Sequence, residues 1–508
     1  MSENYSVVND RHTLPKGVLI GYPKPDKDIQ VIVHLKSMID KEKREELNDL
    51  LCIHPCDRSY LSIEDLETLR NKEDEIIEEV KCYFSEYNFT FDDSDPHSIL
   101  LECDCTVEDF EKAFHTKVAV YETVNHHSYL AHSSPLCLPA HIATCIMYVS
   151  GLTIEEKFET RTPTLPQATH EEQTGWDYGF SLPALGAYYN FPTDVSGKGE
   201  CIAIVELGGE FKTSDITKYF KAVNLPKPAI KVVGTPPKPK SIAANTEVTL
   251  DIQIASALAP NATIVVYYAK TILDALRLII NDKENRPSVV SISWAAEEGY
   301  YSESQLEEFD HVLYEAALLG ITIIAASGDY GAFNRQQYLN VSMPSSHPYV
   351  LGCGGTMPWI EDDEIKKEVV WNESEGKSSS GGGFSDVYAT PEYQTNAIGH
   401  CPERGVPDIS AFSGSENGYQ IIFNGKRMVI GGTSAATPLW AALVALMNEK
   451  LGYRLGFANE LFYKLMGSEG FNQILYGNNQ YYSAGPNWNP CTGLGSPNGN
   501  KLFELINQ

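Results

Sequence analysis

The sequence predicts an α/β protein: a doubly wound parallel sheet, preceded by a smaller α+β domain with an antiparallel sheet. Three observations carry this reading. Four short and nearly continuous apolar runs occur in the second part of the chain: Cys201 to Glu206 (CIAIVE), Thr263 to Tyr267 (TIVVY), Val289 to Ser293 (VVSIS) and Ile321 to Ala326 (ITIIAA). Helical patterns lie between them, at Glu247 to Leu258, Ile272 to Ile280 and Ser304 to Leu319. Strands without polar alternation, separated by helices, are buried on both faces, as in a parallel sheet covered by helices. The third observation is a change of pattern near residue 152, before which short strand-like runs alternate with charge-laced helical segments.

Taken in order, residues 1–152 offer strands at Val18 to Tyr22, Ile29 to Leu35, Ile99 to Cys103 and Val118 to Tyr121, and helices at Ile63 to Tyr87 and Thr106 to Phe114. Residues 153–176 are polar and proline-punctuated (KFETRTPTLPQATHEEQTGW), the chemistry of a linker and of a processing site. Residues 177–508 form the doubly wound domain, in which a ligand site is expected beyond the carboxyl ends of the strands.

At 508 residues the chain is too long for one ordinary domain. Its 43% hydrophobic and 21% charged residues exclude a disordered or fibrous chain. Acidic residues outnumber basic ones, 68 to 39, for a net charge of -29. Such a surface repels nucleic acid phosphates and anionic lipid, so neither nucleic acid nor membrane is an expected partner. Self-repulsion falls as carboxylates protonate, which suits work in acid. No apolar run is long enough to span a bilayer, and the N-terminal text lacks the apolar stretch of a signal peptide, which leaves a cytoplasmic home open. Eleven irregularly spaced cysteines do not make a disulfide framework and are expected to be buried free thiols.

The sharpest local signal is Gly431-Gly432-Thr433-Ser434-Ala435-Ala436-Thr437-Pro438 followed by an apolar helix. A serine at a helix start sits in the favourable field of the helix dipole, and small neighbours let a substrate carbonyl approach the backbone. Serine caps are common at helix starts, but GTSAATP also matches the nucleophile motif of subtilisin-like peptidases. A serine nucleophile needs a base. Ten of the 13 histidines precede the α/β domain, and His311, His347 and His400 lack the context of a catalytic histidine. Where a base helix is expected the chain reads NTEVTLDIQIASALAP, with Glu247 and Asp251 four residues apart on one helical face. Two carboxylates so close repel each other, which raises one pKa and makes a proton-sharing pair. After the ITIIAA run comes Ser327-Gly328-Asp329. Subtilisins place an oxyanion-binding asparagine there, and a carboxyl can replace it only when protonated.

Glu247, Asp251, Asp329 and Ser434, in that order, resemble the sedolisins, or serine-carboxyl peptidases, and the flanking text is most similar to the kumamolisin-like members. Matching segments include IAIVELGG, EVTLDIQIASALAP, VVSISW, ASGDYGA, SSHPYVLGCGGT, SGGGFS, RGVPDIS, IGGTSAATP and NPCTGLGSPNG. The resemblance implies a subtilisin-like domain behind an inhibitory propeptide of ferredoxin-like fold, acting on peptide or protein substrates, as a monomer, outside the cell or in an acidic compartment. It implies Ser434 as nucleophile, Glu247 as general base and acid, Asp251 as its orienting partner and Asp329 as oxyanion donor. Glu206 and Trp294 match positions that extend the hydrogen-bond chain to the glutamate. Ser293, Trp294 and Ala295, with Gly381, Gly382 and Gly383, match substrate-binding segments. Family members bind calcium through an Asp-Ile pair and a Gly-Pro-Gly-Trp-Asp segment. Here the text is Gln473-Ile474 and Gly485-Pro486-Asn487-Trp488-Asn489, so both carboxylates are amides and tight calcium binding is not expected. Ser342 stands where related sequences carry an acid that favours basic side chains, so no such preference is expected from it. Two other functions remain open on the sequence: a non-hydrolytic binding protein that keeps its prodomain, and an acyl-transferring ligase or cyclase.

Overall fold

The computed structural model describes residues 5–8, 18–36, 48–91, 100–122, 128–152, 179–237, 241–361, 364–373 and 378–508. The expected linker, 153–176, lies outside them. The chain forms two units, one of residues 1–46 and 64–160 and a larger one of residues 47–63 and 161–508.

In the larger unit the apolar runs form the strands Cys201–Glu206, Thr263–Tyr268, Val289–Ile292 and Thr322–Ala326. They lie in an eight-stranded sheet whose order is Ala229–Val233, Thr263–Tyr268, Cys201–Glu206, Val289–Ile292, Thr322–Ala326, Leu351–Glu361. Ile409–Phe412 pairs parallel to Leu351–Glu361 and Glu364–Val370 pairs antiparallel to it. The other pairings in this sheet are parallel. Every residue of Cys201–Glu206 is buried, as expected for a central strand covered on both faces. Its last residue, Glu206, therefore carries a carboxyl to the carboxyl-end rim of the sheet without any access to water.

Two buried helices aim side chains at the same rim. Ile242–Leu258 starts five residues earlier than the apolar pattern suggests, because the Ser241 hydroxyl accepts the Ala244 N–H at 3.0 Å and caps it. Thr246 to Leu258 are buried all round this helix, so it has no wet face on which Glu247 and Asp251 could be solvated. Thr433–Leu451 is buried from Thr433 to Asn448 and follows Gly432, whose φ of 115° suits glycine. Val248, Ile252 and Ala255 of the first helix share one apolar core with Ala435, Ala436, Leu439 and Trp440 of the second.

The RGVPDIS segment is structural. Arg404 and Asp408 form a fully buried pair at 2.6 Å, and Asp408 also accepts the Gly352 N–H and the Tyr463 hydroxyl, which meets the condition for tolerating a buried ion pair. Residues 48–63 are held by Arg58, whose guanidinium donates to the Leu455 and Phe457 carbonyls at 3.2 and 2.7 Å, and by Tyr60, whose hydroxyl donates to Leu455 O at 2.8 Å. A Cβ at Gly320 or Gly456 would come within 2.6 or 2.4 Å of Tyr60, so both glycines make room for its ring.

The smaller unit has a four-stranded antiparallel sheet, in the order Thr90–Phe91, Leu100–Thr106, Asp28–Leu35, Ile146–Ser150. The helices Ile63–Ser85 and Val107–Ala113 supply Val80, Phe84 and Phe110, which form one core with Val31 and Val33 of the sheet. The eleven cysteines are free thiols. Cys103, Cys105, Cys201, Cys353 and Cys491 are buried as expected, and burial pushes the Cys105 thiol up to about 12. Cys52, Cys56 and Cys82 are exposed, which corrects the expectation for those three.

Candidate active site

Ser434 is the second residue of its helix, where the first backbone N–H groups have no partner within the helix. Its hydroxyl lies 3.4 Å from the Ser293 carbonyl and also stabilises the charged form of Glu247. Glu247 and Asp251 come from one helix, a turn apart. The Ser293 hydroxyl donates to Asp251 Oδ2 at 2.8 Å, and the Trp294 indole N–H donates to Glu206 Oε2 at 3.0 Å. Relative exposures are 0% for Glu206, 4% for Glu247, 0% for Asp251, 3% for Asp329 and 1% for Ser434, so none of these charges is hydrated.

Electrostatics follow from that burial. Loss of water raises Glu247 well above the usual carboxylate range, with the Asp251 charge adding to it, and raises Glu206 likewise, with Asp251 and Glu247 adding. Asp251 is pushed up to about 8, burial again leading and the Ser293 hydroxyl opposing. Each member of the cluster also has one buried oxygen without a hydrogen-bond partner: Glu206 Oε1, Glu247 Oε1 and Asp251 Oδ1. Buried acceptors left unpaired are costly, and protons shared among the three relieve that cost.

Asp329 follows the strand Thr322–Ala326 and is held by a residue that the sequence did not single out. Thr433 donates twice to Asp329 Oδ1, from its N–H at 2.8 Å and its hydroxyl at 2.7 Å. These bonds favour the carboxylate, but burial outweighs them, and Asp329 is pushed up to about 6. The glycine segment sits against the same turn: Gly381 N–H donates to Gly328 O at 2.7 Å, the Ser327 hydroxyl donates to Gly381 O, and a Cβ on Gly381 would come within 2.2 Å of Ser327 O. Gly382 and Gly383 continue it as buried backbone. Ser293, expected only as part of a substrate-binding strand, also bridges Asp251 to the Ser434 backbone. Ala295 is partly exposed. His347 is engaged with Asp310 at 2.8 Å, and His311 lies near Glu315 at 3.7 Å.

The residues at the family's calcium positions bond to one another. Gln473 Oε1 accepts the Asn487 N–H at 3.1 Å, and the Asn489 amide donates to Gly485 O at 3.2 Å. Asn489 Oδ1 accepts from Cys491 N, Thr492 N and Thr492 Oγ1, each at 3.1 Å. Ile474 is buried beside them among apolar neighbours. Among the described residues, no group of three His, Cys, Asp or Glu is arranged to hold a metal ion.

A subtilisin-like sheet whose helix-borne serine meets buried carboxyls instead of an imidazole defines the class of serine-carboxyl peptidases. Comparison with known proteins agrees. Residues 16–154 match the family model "Pro-kumamolisin, activation domain" and residues 241–464 match the "Subtilase family" model. The chain is similar to kumamolisin of Bacillus sp. (strain MN-32), 31% identical over 98% of this chain and 95% of the relative. It is also similar to tripeptidyl-peptidase 1 of Homo sapiens, 28% identical over 73% and 72% of the two chains. A solved structure of Pseudomonas sedolisin, complexed with two molecules of pseudo-iodotyrostatin, superposes with a TM-score of 0.59 at 26% identity, covering 65% of this chain and 98% of that one. The chain belongs to the sedolisin family of serine-carboxyl peptidases.

Proposed function

We propose that this chain is an acid-acting endopeptidase made as a zymogen, with Glu247 as its proton carrier. The observation that supports this best is the hydrogen bond of the Ser434 hydroxyl to the buried Glu247, which has Asp251 one turn on in the same buried helix. One proton between Glu247 Oε1 and Asp251 Oδ1 satisfies both unpaired oxygens and leaves Glu247 one acceptor for the Ser434 proton. The serine oxygen attacks the scissile carbonyl, and Glu247 then gives the proton to the leaving amine. The resulting acyl-enzyme is opened by water, whose proton passes through the same carboxyl. Glu206, held by Trp294, adds a third carboxyl to the proton store.

The oxyanion is met by the Ser434 N–H and by protonated Asp329. Because Thr433 occupies Oδ1 with two donors, the Asp329 proton belongs on Oδ2, which is then the donor to the oxyanion. Peptide or protein substrate runs along Ser293 to Ala295 on one side and Gly381 to Gly383 on the other. In this reading the N-terminal domain is an intramolecular inhibitor, released by cleavage within 153–176 as acid neutralises carboxylates and charges histidines such as His126, His127 and His132. His126 and His127, like the cleavage segment, lie outside the described residues. Among the described residues, no helix is long and apolar enough to cross a membrane.

Peptide turnover tests the reading. Wild type cleaves internal bonds of a peptide library at pH 4, and Ser434→Ala cleaves none. Equal products from both proteins, seen by mass spectrometry, would defeat it.

Calcium has no part in this mechanism. The carbonyl of Gly485 and the side-chain oxygens of Gln473 and Asn489 are already engaged, and only neutral oxygens are offered, a poor set for a hard dication. Amide hydrogen bonds do the structural work instead. Excess chelator therefore leaves the melting temperature unchanged, and elemental analysis finds no retained calcium. One firmly held calcium per chain would contradict this.

A further inference from the structure

We propose that residues 48–63 are an anchor that keeps the N-terminal domain attached to the peptidase domain after the chain is cut, seated at the opposite end of the central sheet from the catalytic residues. The inference rests on the zymogen reading above for the cut within 153–176, and adds an attachment that this cut does not break.

The order of the chain sets the segment apart. Residues 1–46 and 64–160 belong to the smaller unit, whereas residues 47–63 between them belong to the larger one. Both ends of the segment therefore lead back into the N-terminal domain, one of them directly into the helix Ile63–Ser85. Its seat is backbone of the peptidase domain. The Leu61 N–H donates at 2.9 Å to the Leu318 carbonyl, which lies at the end of the helix Glu303–Leu318, where carbonyls have no partner within the helix. Leu455 O accepts from both Arg58 and the Tyr60 hydroxyl, and Phe457 O accepts from Arg58 again. The Tyr60 ring fills the gap that Gly320 and Gly456 leave by having no side chain.

Arg58 joins the segment's own shape to its docking. It is 8% exposed, and on its own side it donates to the Leu51 carbonyl at 2.8 Å, the Ile53 carbonyl at 2.9 Å and the Tyr60 hydroxyl at 3.1 Å. One guanidinium thus folds the segment and plugs it into the Leu455 and Phe457 carbonyls, and hydrogen bonds from a charged donor are the strong kind. The place of the seat follows from its neighbours. The hydroxyl of Thr322, the first residue of the strand Thr322–Ala326, donates to Gly456 O at 2.7 Å. Arg454 donates to the Arg286 and Pro287 carbonyls, which precede the strand Val289–Ile292. The seat is therefore at the amino ends of the strands whose carboxyl ends lead to Ser293 and Asp329. At about 3.3 Å per residue, the five residues of Thr322–Ala326 put about 16 Å of sheet between the two ends. The anchor holds without occupying the catalytic rim. Cleavage within 153–176 cuts the covalent link, and departure of the N-terminal domain also requires the anchor to leave its seat.

The test uses the full chain with the recognition sequence of an added site-specific protease inserted within 153–176, so that the cut needs no self-processing. The nicked protein is passed over a sizing column at pH 7 through a dilution series, and the N-terminal fragment is followed by mass. The two wild-type pieces are expected to elute together. Arg58→Ala removes two charge-assisted bonds to the peptidase domain and raises the dissociation constant about a hundredfold. Tyr60→Phe keeps the ring in its gap, drops only the bond to Leu455, and raises the constant about fivefold. Wild-type pieces that separate at every concentration overturn the anchor. So does an unchanged constant in Arg58→Ala, or in Tyr60→Phe where Arg58→Ala does not fold. Because elution needs no turnover, either result leaves the peptidase reading intact. Failure of the chain without the insert to cut itself within 153–176 in acid overturns the zymogen reading instead, and the elution still decides the anchor.

Discussion

Asp329→Ala lowers kcat by about 10² to 10³ while the fold and melting temperature stay close to wild type, the loss typical of removing one oxyanion donor. Asp329→Asn separates donation from titration. On the proposed mechanism the donor exists only while Asp329 is protonated, so its contribution is full in acid and is lost as pH rises through about 6. Asparagine donates at every pH, so the variant keeps measurable turnover and its activity declines less steeply above pH 6 than that of wild type. The two variants and wild type are compared as kcat against pH on one peptide, after added wild-type enzyme has removed the N-terminal part of each. Normal turnover by Asp329→Ala at its optimum would remove Asp329 from the mechanism.

With Glu247 as the proposed proton carrier, Glu247→Gln is expected to lower kcat by about 10² to 10⁴, the range supplied by a positioned acid or base, because an amide cannot take the Ser434 proton. The same change alters stability in a way that a merely damaged site would not. The folded-state pKa of Glu247 is raised by burial and by Asp251, so the folded state holds this proton more tightly than the unfolded chain does. The stability it contributes is full below the ordinary glutamate value of about 4.3 and is lost as pH rises through the raised value. Glutamine does not titrate. The drop in melting temperature between pH 4 and pH 7 is therefore smaller in Glu247→Gln than in wild type, although the variant is nearly inactive at both.

Much of the architecture was readable in advance where burial is uniform. The strands Cys201–Glu206, Thr263–Tyr268, Val289–Ile292 and Thr322–Ala326 are unbroken apolar runs because both faces are covered. Leu351–Glu361 escaped notice because Gly352, Gly354 and Gly355 interrupt it. The structure uses their missing side chains, since a Cβ on Gly352 would meet Ser345 O at 2.7 Å and one on Gly354 would meet Pro407 at 2.7 Å. Ala229–Val233 is a partly exposed edge strand and has no such run. In the site, the four principal residues could be picked out because their text is distinctive. Thr433 could not, since a threonine beside a helix start reads as ordinary local structure until its two bonds to Asp329 are seen. The docking of Arg58 depends on carbonyls 397 and 399 residues further along the chain, which one-dimensional spacing does not encode. Charge loss at Gln473 and Asn489, by contrast, is written in the residue types themselves.

The most direct measurement is the rate at which a fluorophosphonate labels Ser434, followed by intact mass in wild type and Glu247→Gln. If a carboxyl activates the hydroxyl, wild type is labelled at Ser434 in acid and the variant at least about a hundredfold more slowly. Equal labelling rates in the two proteins would contradict a carboxyl-driven nucleophile.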